Sequence, residues 1–274
     1  MAPDGRCWDC GAAQPSFRSR LETTAAGGAA GVSDRGLRRG ANADAMGVVA
    51  AGGWTVGVVC DGVSMSPRSD RAALVAAQVG ASVAAARLRE GRLPEIALDD
   101  AVGRAGRAVA ALAASADAAP ACTYVAAAVG AGGVWVSWVG DSRAYWLPDE
   151  GPGFALTEDD TGAHDALSAW LGADAGDLEG RARSYRPSGP GRLLLCTDGL
   201  WRYLSSAEEL RAAVPRRRPG SAADGPLRAD GGLLADARGL VRHALDAGGH
   251  DNVTALLIPV DGCAGRGCAG ADSG

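Results

Sequence analysis

The 274-residue chain contains no lysine; all 27 of its basic residues are arginine. That absence removes a P-loop phosphate-binding lysine and any Schiff-base mechanism. The first residues, MAPDGRCWDCGAA, lack the apolar segment of a secretory signal, so none is expected. Excess positive charge is also missing. With a formal net charge of −5 the chain has no general attraction for nucleic acid or an anionic bilayer. The stretch that most invites a membrane test, AAPACTYVAAAVGAGGVWVSWVG at 118–140, is uncharged, but Pro120 and the turn GAGG divide it into short strands. Internal repeats and strict β-α alternation are absent too. The expectation is a cytoplasmic monomer that partners neither nucleic acid nor membrane.

What is present suits one large globular core: 47% of residues are hydrophobic and 22% charged. Seven cysteines is an odd number, and Cys60, Cys122 and Cys196 fall in apolar, strand-like runs where a reduced thiol packs as a small hydrophobe. Cys7 and Cys10 in CWDCG have the spacing of half a zinc ribbon. Cys263 and Cys268 are the other close pair, so either the two ends meet in one zinc site or both are metal-free tails, the blander reading.

Residues 1–30 are rich in Gly, Ala, Ser and Pro and read as a tail, residues 31–261 as the domain, and 262–274 as a second tail. AMGVVAAGG and WTVGVVCDG form a hairpin signal, and helical spacing follows over 69–90 and about 95–117. CTYVAAAV, GVWVSWVGD and SRAYWLP alternate large with small or polar residues, as strands with one buried face do. Further strands are expected at GFALTE, ARSYRP, RLLLCTD and NVTALLIPV, with helices at 206–214 and 233–247 and a surface loop at 215–232. Trp135, Trp138 and Trp201 read as core residues, and His250 as structural or solvent-facing. Strands and helices thus come in groups, which predicts an antiparallel α+β sandwich.

Two strands end on Asp-Gly, in VVCDGVS and LLLCTDGLW. Such an ending carries a carboxylate to the rim of a sheet, and the glycine lets the backbone turn closely around whatever the acid holds. A single copy is most simply a turn. Here the acids accumulate at strand ends: Asp44, Asp61, Asp141, Asp198 and Asp251, with no arginine partner expected one helical turn away. Converging carboxylates repel one another, and a hard divalent cation such as Mg²⁺ or Mn²⁺ removes that repulsion with oxygen ligands alone.

The ordered set GVSDRGLRRGANADAMGV, VVCDGVS, ACTYVAAAV, VWVSWVGDSRAYWL, LTEDDT, LLLCTDGLWRYLS and GGHDNVTALLIPV resembles the bacterial metal-dependent protein serine/threonine phosphatases of the PP2C (PPM) family, from about Gly31 to Val260. The resemblance implies a four-layer α-β-β-α sandwich with two Mn²⁺ or Mg²⁺ ions, and a third, weaker one, at one end of the sheets. A water bridging the metals would attack phosphoserine or phosphothreonine on a protein substrate of a Ser/Thr kinase. By position, Asp61 matches the bridging acid and the Gly62 carbonyl a backbone ligand. Asp198 and Asp251 match the other carboxylates of the first metal, Asp141 the acid of the third, and Asp44 the acid of the first motif. Arg39 matches the arginine that grips the phosphate, its neighbour Arg38 being the alternative. Three departures stand out. Ala43 replaces the usual glutamate of the second metal site, Val63 takes the place of a histidine found in eukaryotic relatives, and the segment after LTEDDT is short for the family's flap. Ala43 motivates the alternative of a pseudophosphatase that binds a phosphoprotein or kinase without efficient turnover. An aspartyl-phosphate phosphatase, suggested by VVCDGV alone, would need an acid where Val63 stands.

Overall fold

The computed structural model describes residues 19–115, 118–162, 166–176, 180–214 and 232–261. One antiparallel sheet has the spatial order β1 (Arg20–Thr24), β2 (Ala30–Asp34), β11 (Val253–Val260), β10 (Gly191–Cys196), β7 (Arg143–Pro148), β8 (Phe154–Ala155). The second has the order β3 (Ala45–Ala51), β4 (Trp54–Cys60), β5 (Tyr124–Gly130), β6 (Gly133–Val139), β9 (Arg181–Tyr185). Helices α1 (Ser69–Arg89) and α2 (Pro94–Ala110) cover the outer face of the second sheet. Helices α3 (Asp198–Trp201), α4 (Ala207–Ala213) and α5 (Leu233–Asp246) cover that of the first. The expected α-β-β-α sandwich is present. No helix among the described residues is long and apolar enough to cross a membrane.

The period-two side-chain rule distributes each strand between two cores. Along β10, Leu193 and Leu195 enter the layer between the sheets while Leu194 and Cys196 face the helices. On β4, Val59 points between the sheets, and Val56, Val58 and Cys60 meet the small alanines of α1. This double cover corrects the one-buried-face reading of the 122–148 strands: β5 and β7 are buried on both faces because a helical layer lies outside each sheet.

Two boundaries also differ from expectation. β1 lies inside the stretch read as tail. It is an edge strand, mostly exposed, held by backbone pairing to β2 and by the ion pairs of Arg20 with Asp34 and of Glu22 with Arg238 on α5, so it carries no apolar pattern. Helix α2 stops at Ala110 rather than near 117. Its last turn tightens into Leu112 N–H to Val109 C=O, and Arg68 donates to the Leu112 carbonyl at 2.5 Å, taking an acceptor a longer helix would need. The two cysteine pairs, Cys7 with Cys10 and Cys263 with Cys268, lie outside the described residues, as does loop 215–231. Cys60, Cys122 and Cys196 are buried free thiols.

Candidate metal centre

In antiparallel sheets alternate strand ends share a rim, and the register fixes which residues meet there. Ala45 faces Cys60 across β3 and β4, so Asp44 and Asp61 leave the second sheet at one end. Tyr124 faces Val139 across β5 and β6, and Asp141 lies just beyond at the same end. In the first sheet Cys196 faces both Ala255 and Arg143. Asp198, Asp251 and Asp141 therefore flank one rim of that sheet. Asp34 faces Val253, which sends the loop carrying Arg39 out beside them. All five acids and Arg39 thus gather at one end of the sandwich. Gly62 follows Asp61 where the backbone is crowded: a Cβ there would lie 2.8 Å from the carbonyl of Ser69 and 2.9 Å from that of Ala43. The backbone of Ala43 therefore runs close against Gly62.

Asp44 is fully buried. Its Oδ2 accepts hydrogen bonds from Thr197 at 2.8 Å and Thr254 at 2.7 Å, whereas its Oδ1 is buried without a partner. Thr254 Oγ1 also lies 2.8 Å from Ser33 Oγ, which accepts from Asn42 Nδ2 at 2.9 Å. The single Thr254 hydroxyl hydrogen goes to the carboxylate, leaving Ser33 to donate to Thr254. Burial pushes the Asp44 carboxyl up to about 7 against the pull of both threonines, and Asp198 and Asp251 add to the rise. Asp61 is driven well above the carboxylate range by burial and then by Asp44, Asp198, Asp141 and Asp251. Asp141 is raised to about 6, chiefly by burial and by Asp198. These shifts mark a cluster of like charges short of counter-charge.

Asn252 ties the loops together. Its side chain donates to the carbonyls of Arg35 at 2.7 Å and Ala41 at 2.9 Å, and it accepts from the Ala43 N–H at 2.8 Å. Asp61 is fixed in the same way by Thr123, whose N–H donates to the Asp61 carbonyl at 2.8 Å and whose hydroxyl accepts from the Asp61 N–H at 3.0 Å.

Two acids are engaged by arginine. Arg39 grips Asp251 with a two-pronged contact of 2.8 and 2.5 Å, and it is Arg39 rather than Arg38 that turns inward. Arg202 donates to Asp198 Oδ2 at 2.8 Å across one turn of α3, which corrects the expectation that no acid has a helical arginine partner. The short helix α3 creates the pair by continuing straight from the strand end. Asp198 Oδ1 is buried with no partner. Trp201, expected in the core, packs partly buried against the core between the first sheet and its helices and turns its polar edge to the rim. Its indole N–H donates to the Asp141 carbonyl at 3.0 Å, and the guanidinium groups of Arg143 and Arg202 lie 3.6 and 5.0 Å from its ring. Trp138 is buried between the sheets as expected, while Trp135 is partly buried and bonds Glu95 at 2.7 Å. His250 pairs with Tyr203 at 3.0 Å on the exposed side.

Among the described residues no three acidic, histidine or cysteine side chains already close around one point. The donor set nevertheless fits a hard divalent cation. It is all oxygen, and the orphaned Asp44 Oδ1 and Asp198 Oδ1 are buried acceptors that a cation would satisfy, as would a proton or a water. The flap segment after LTEDDT forms no helix among its described residues. It borders a separate cavity of about 450 Å³ lined by Val139, Asp160, Trp170 and Arg181.

Residues 36–224, more than half of the chain, match the protein phosphatase 2C family. The chain belongs to that family. No curated protein is similar to this protein phosphatase 2C member at a significant level. Solved structures agree on the fold. The S. agalactiae serine/threonine phosphatase is 21% identical with a TM-score of 0.64, covering 84% of this chain and 97% of its own. PppA of Pseudomonas aeruginosa, a regulatory component of the type VI secretion system, is 23% identical with a TM-score of 0.65, covering 85% and 96%. The catalytic domain of the serine/threonine phosphatase PstP, solved with two manganese ions, is 27% identical with a TM-score of 0.60, covering 85% and 98%.

Proposed function

We propose that the protein hydrolyses phosphoserine and phosphothreonine on proteins phosphorylated by a Ser/Thr kinase, using two Mn²⁺ or Mg²⁺ ions and a third, weaker one. Asp44, Asp61, Asp198 and Asp251, with the Gly62 carbonyl, would hold the first two, and Asp141 would serve the third. The observation that carries this reading is the pair of orphaned buried carboxylate oxygens in an all-oxygen rim. The manganese in PstP supports it.

The bound ions would supply an acidified water and neutralise charge on the phosphoryl oxygens. The chain's own groups do the rest. Arg39 carries a planar fork of donors whose two prongs, now on Asp251, match two oxygens of a phosphoryl group equally well. Thr197 and Thr254 hold one Asp44 oxygen and so aim the other, and Asn252 fixes the Arg39 loop against the strands. No nucleophilic side chain is required. The three buried thiols remain reduced, which suits the cytoplasm.

Ala43 favours a second reading, a binding module that retains the phosphoprotein without efficient turnover. The deciding experiment is phosphate release from a phosphothreonine peptide with excess Mn²⁺. The enzyme reading expects turnover that Asp198→Asn lowers by at least about a hundredfold. Folded wild-type protein that stays inert under these conditions leaves only the binding module.

A further inference from the structure

We propose that Arg202 is a built-in counterion which a divalent cation must displace from Asp198, so that the chain sets its own metal affinity by guanidinium-for-metal exchange. The inference rests on the rim being a metal centre.

Arg202 is held where it competes. Its Nε donates to Asp198 Oδ2 at 2.8 Å, and its guanidinium carbon lies 5.0 Å from the ring of Trp201. Trp201 is itself anchored through the Asp141 carbonyl, and its ring also receives Arg143, which Asp159 grips with two bonds of 2.9 and 2.8 Å. The stack therefore limits the orientations open to Arg202.

The two oxygens of Asp198 have unlike surroundings. Oδ2 carries the guanidinium, while Oδ1 is buried and unpartnered. A cation arriving at Oδ1 meets a positive charge on the other oxygen of the same carboxyl. Coulomb repulsion at that separation is worth roughly tenfold in affinity even with water-like screening. The Asp198 side chain is 15% exposed and that of Arg202 56%, so Arg202 has a solvent path along which to leave and the acid does not. Arg39 engages Asp251 in a similar way, but its fork is also the candidate grip on phosphate. Arg202 holds its acid through Nε and is not placed as a grip on phosphate.

The test is calorimetric titration of Mn²⁺ into the wild type, Arg202→Gln, Arg202→Lys and Arg104→Gln. Arg104, exposed on α2, controls for loss of one positive charge elsewhere. Arg202→Gln is expected to tighten Mn²⁺ binding roughly tenfold, Arg202→Lys by less, and Arg104→Gln not at all, with the gain shrinking as salt rises. If the wild type binds Mn²⁺ and Arg202→Gln binds it equally or more weakly, Arg202 orients Asp198 rather than competing for it, and the proposal falls. If neither protein binds Mn²⁺, the metal-centre reading falls first and takes this inference with it.

Discussion

Raising the pH should loosen the metal-free protein and leave the metal-loaded protein almost unaffected. Asp44 has a folded-state pKa of about 7 against an ordinary value of 3.8. A carboxyl raised in the folded state binds its proton more tightly there than in the unfolded chain. Its contribution to stability is therefore complete below pH 3.8 and is lost as pH rises through about 7. At about 1.4 kcal/mol per pH unit the loss amounts to ~4 kcal/mol. Asp61 and Asp141, raised first by burial and then by their neighbours, move in the same direction, so ~4 kcal/mol is the share of Asp44 alone. Glu22, lowered by its bond to Arg238, has the opposite slope, confined to the acid side of its ordinary 4.5. Asp236 on α5 is raised by burial and slopes the same way, so the rim is read as the difference between chelator and Mn²⁺ from pH 5 to 8. Urea unfolding across that window, with chelator and with excess Mn²⁺, should give a midpoint that falls with pH more steeply in chelator. Asp44→Asn should flatten much of the fall. A chelated midpoint that is flat or rises from pH 5 to 8 would refute the picture of repelling, buried acids.

Two further substitutions probe the rim. Thr197→Val removes a donor to Asp44 and strands the Thr254 N–H that Thr197 Oγ1 accepts at 3.1 Å; it should cost ~2–3 kcal/mol in urea unfolding, with Thr197→Ser costing much less. Ala43→Glu should tighten Mn²⁺ binding about tenfold in calorimetry and raise turnover, because position 43 contacts Gly62; unchanged affinity would mean that a side chain there does not reach the ion.

The fold was legible because both sheets are covered on both faces, which leaves long apolar runs cut cleanly by Asp-Gly. RLLLCTDG and VVCDG announce strand and rim together. β1 was not legible, since its stability comes from backbone pairing and from charges on distant elements such as Arg238, and neither leaves a local pattern. At the site, the acids were readable as strand-end residues, and Arg39, in the loop between β2 and β3, only through the family resemblance. Thr197, Thr254 and Asn252 were missed because each acts through a partner remote in sequence, Asp44 or the 35–43 loop. Their trace was faint: single polar residues next to or inside runs that are otherwise buried. The rim contacts of Trp201 and Arg202 were missed for a different reason. Their roles depend on α3 following β10 with little turn between, and a four-residue helix has too little periodicity to signal itself.

The charge balance of the rim links these observations to the chemistry. Five carboxylates against Arg39 and Arg202 leave it strongly negative when ionised, which repels a phosphate ester. Protonating Asp44 relieves part of that repulsion and, on the proposed reading, would remove a metal ligand, so protons and cations would compete for the same oxygens. On the proposed reading, two divalent ions would reverse the sign of the rim and would compete with Arg39 and Arg202 for Asp251 and Asp198. Such ions would do more than supply an acidified water, because they would also make the site attractive to a dianion. The positive charge of Arg202 would then oppose the cations while they bind and favour a phosphate once they are in place. If the proposed metal centre holds, a chain with alanine at 43 that keeps this arginine would combine weak metal binding with strong phosphate attraction, so its activity should follow the supply of free divalent cation.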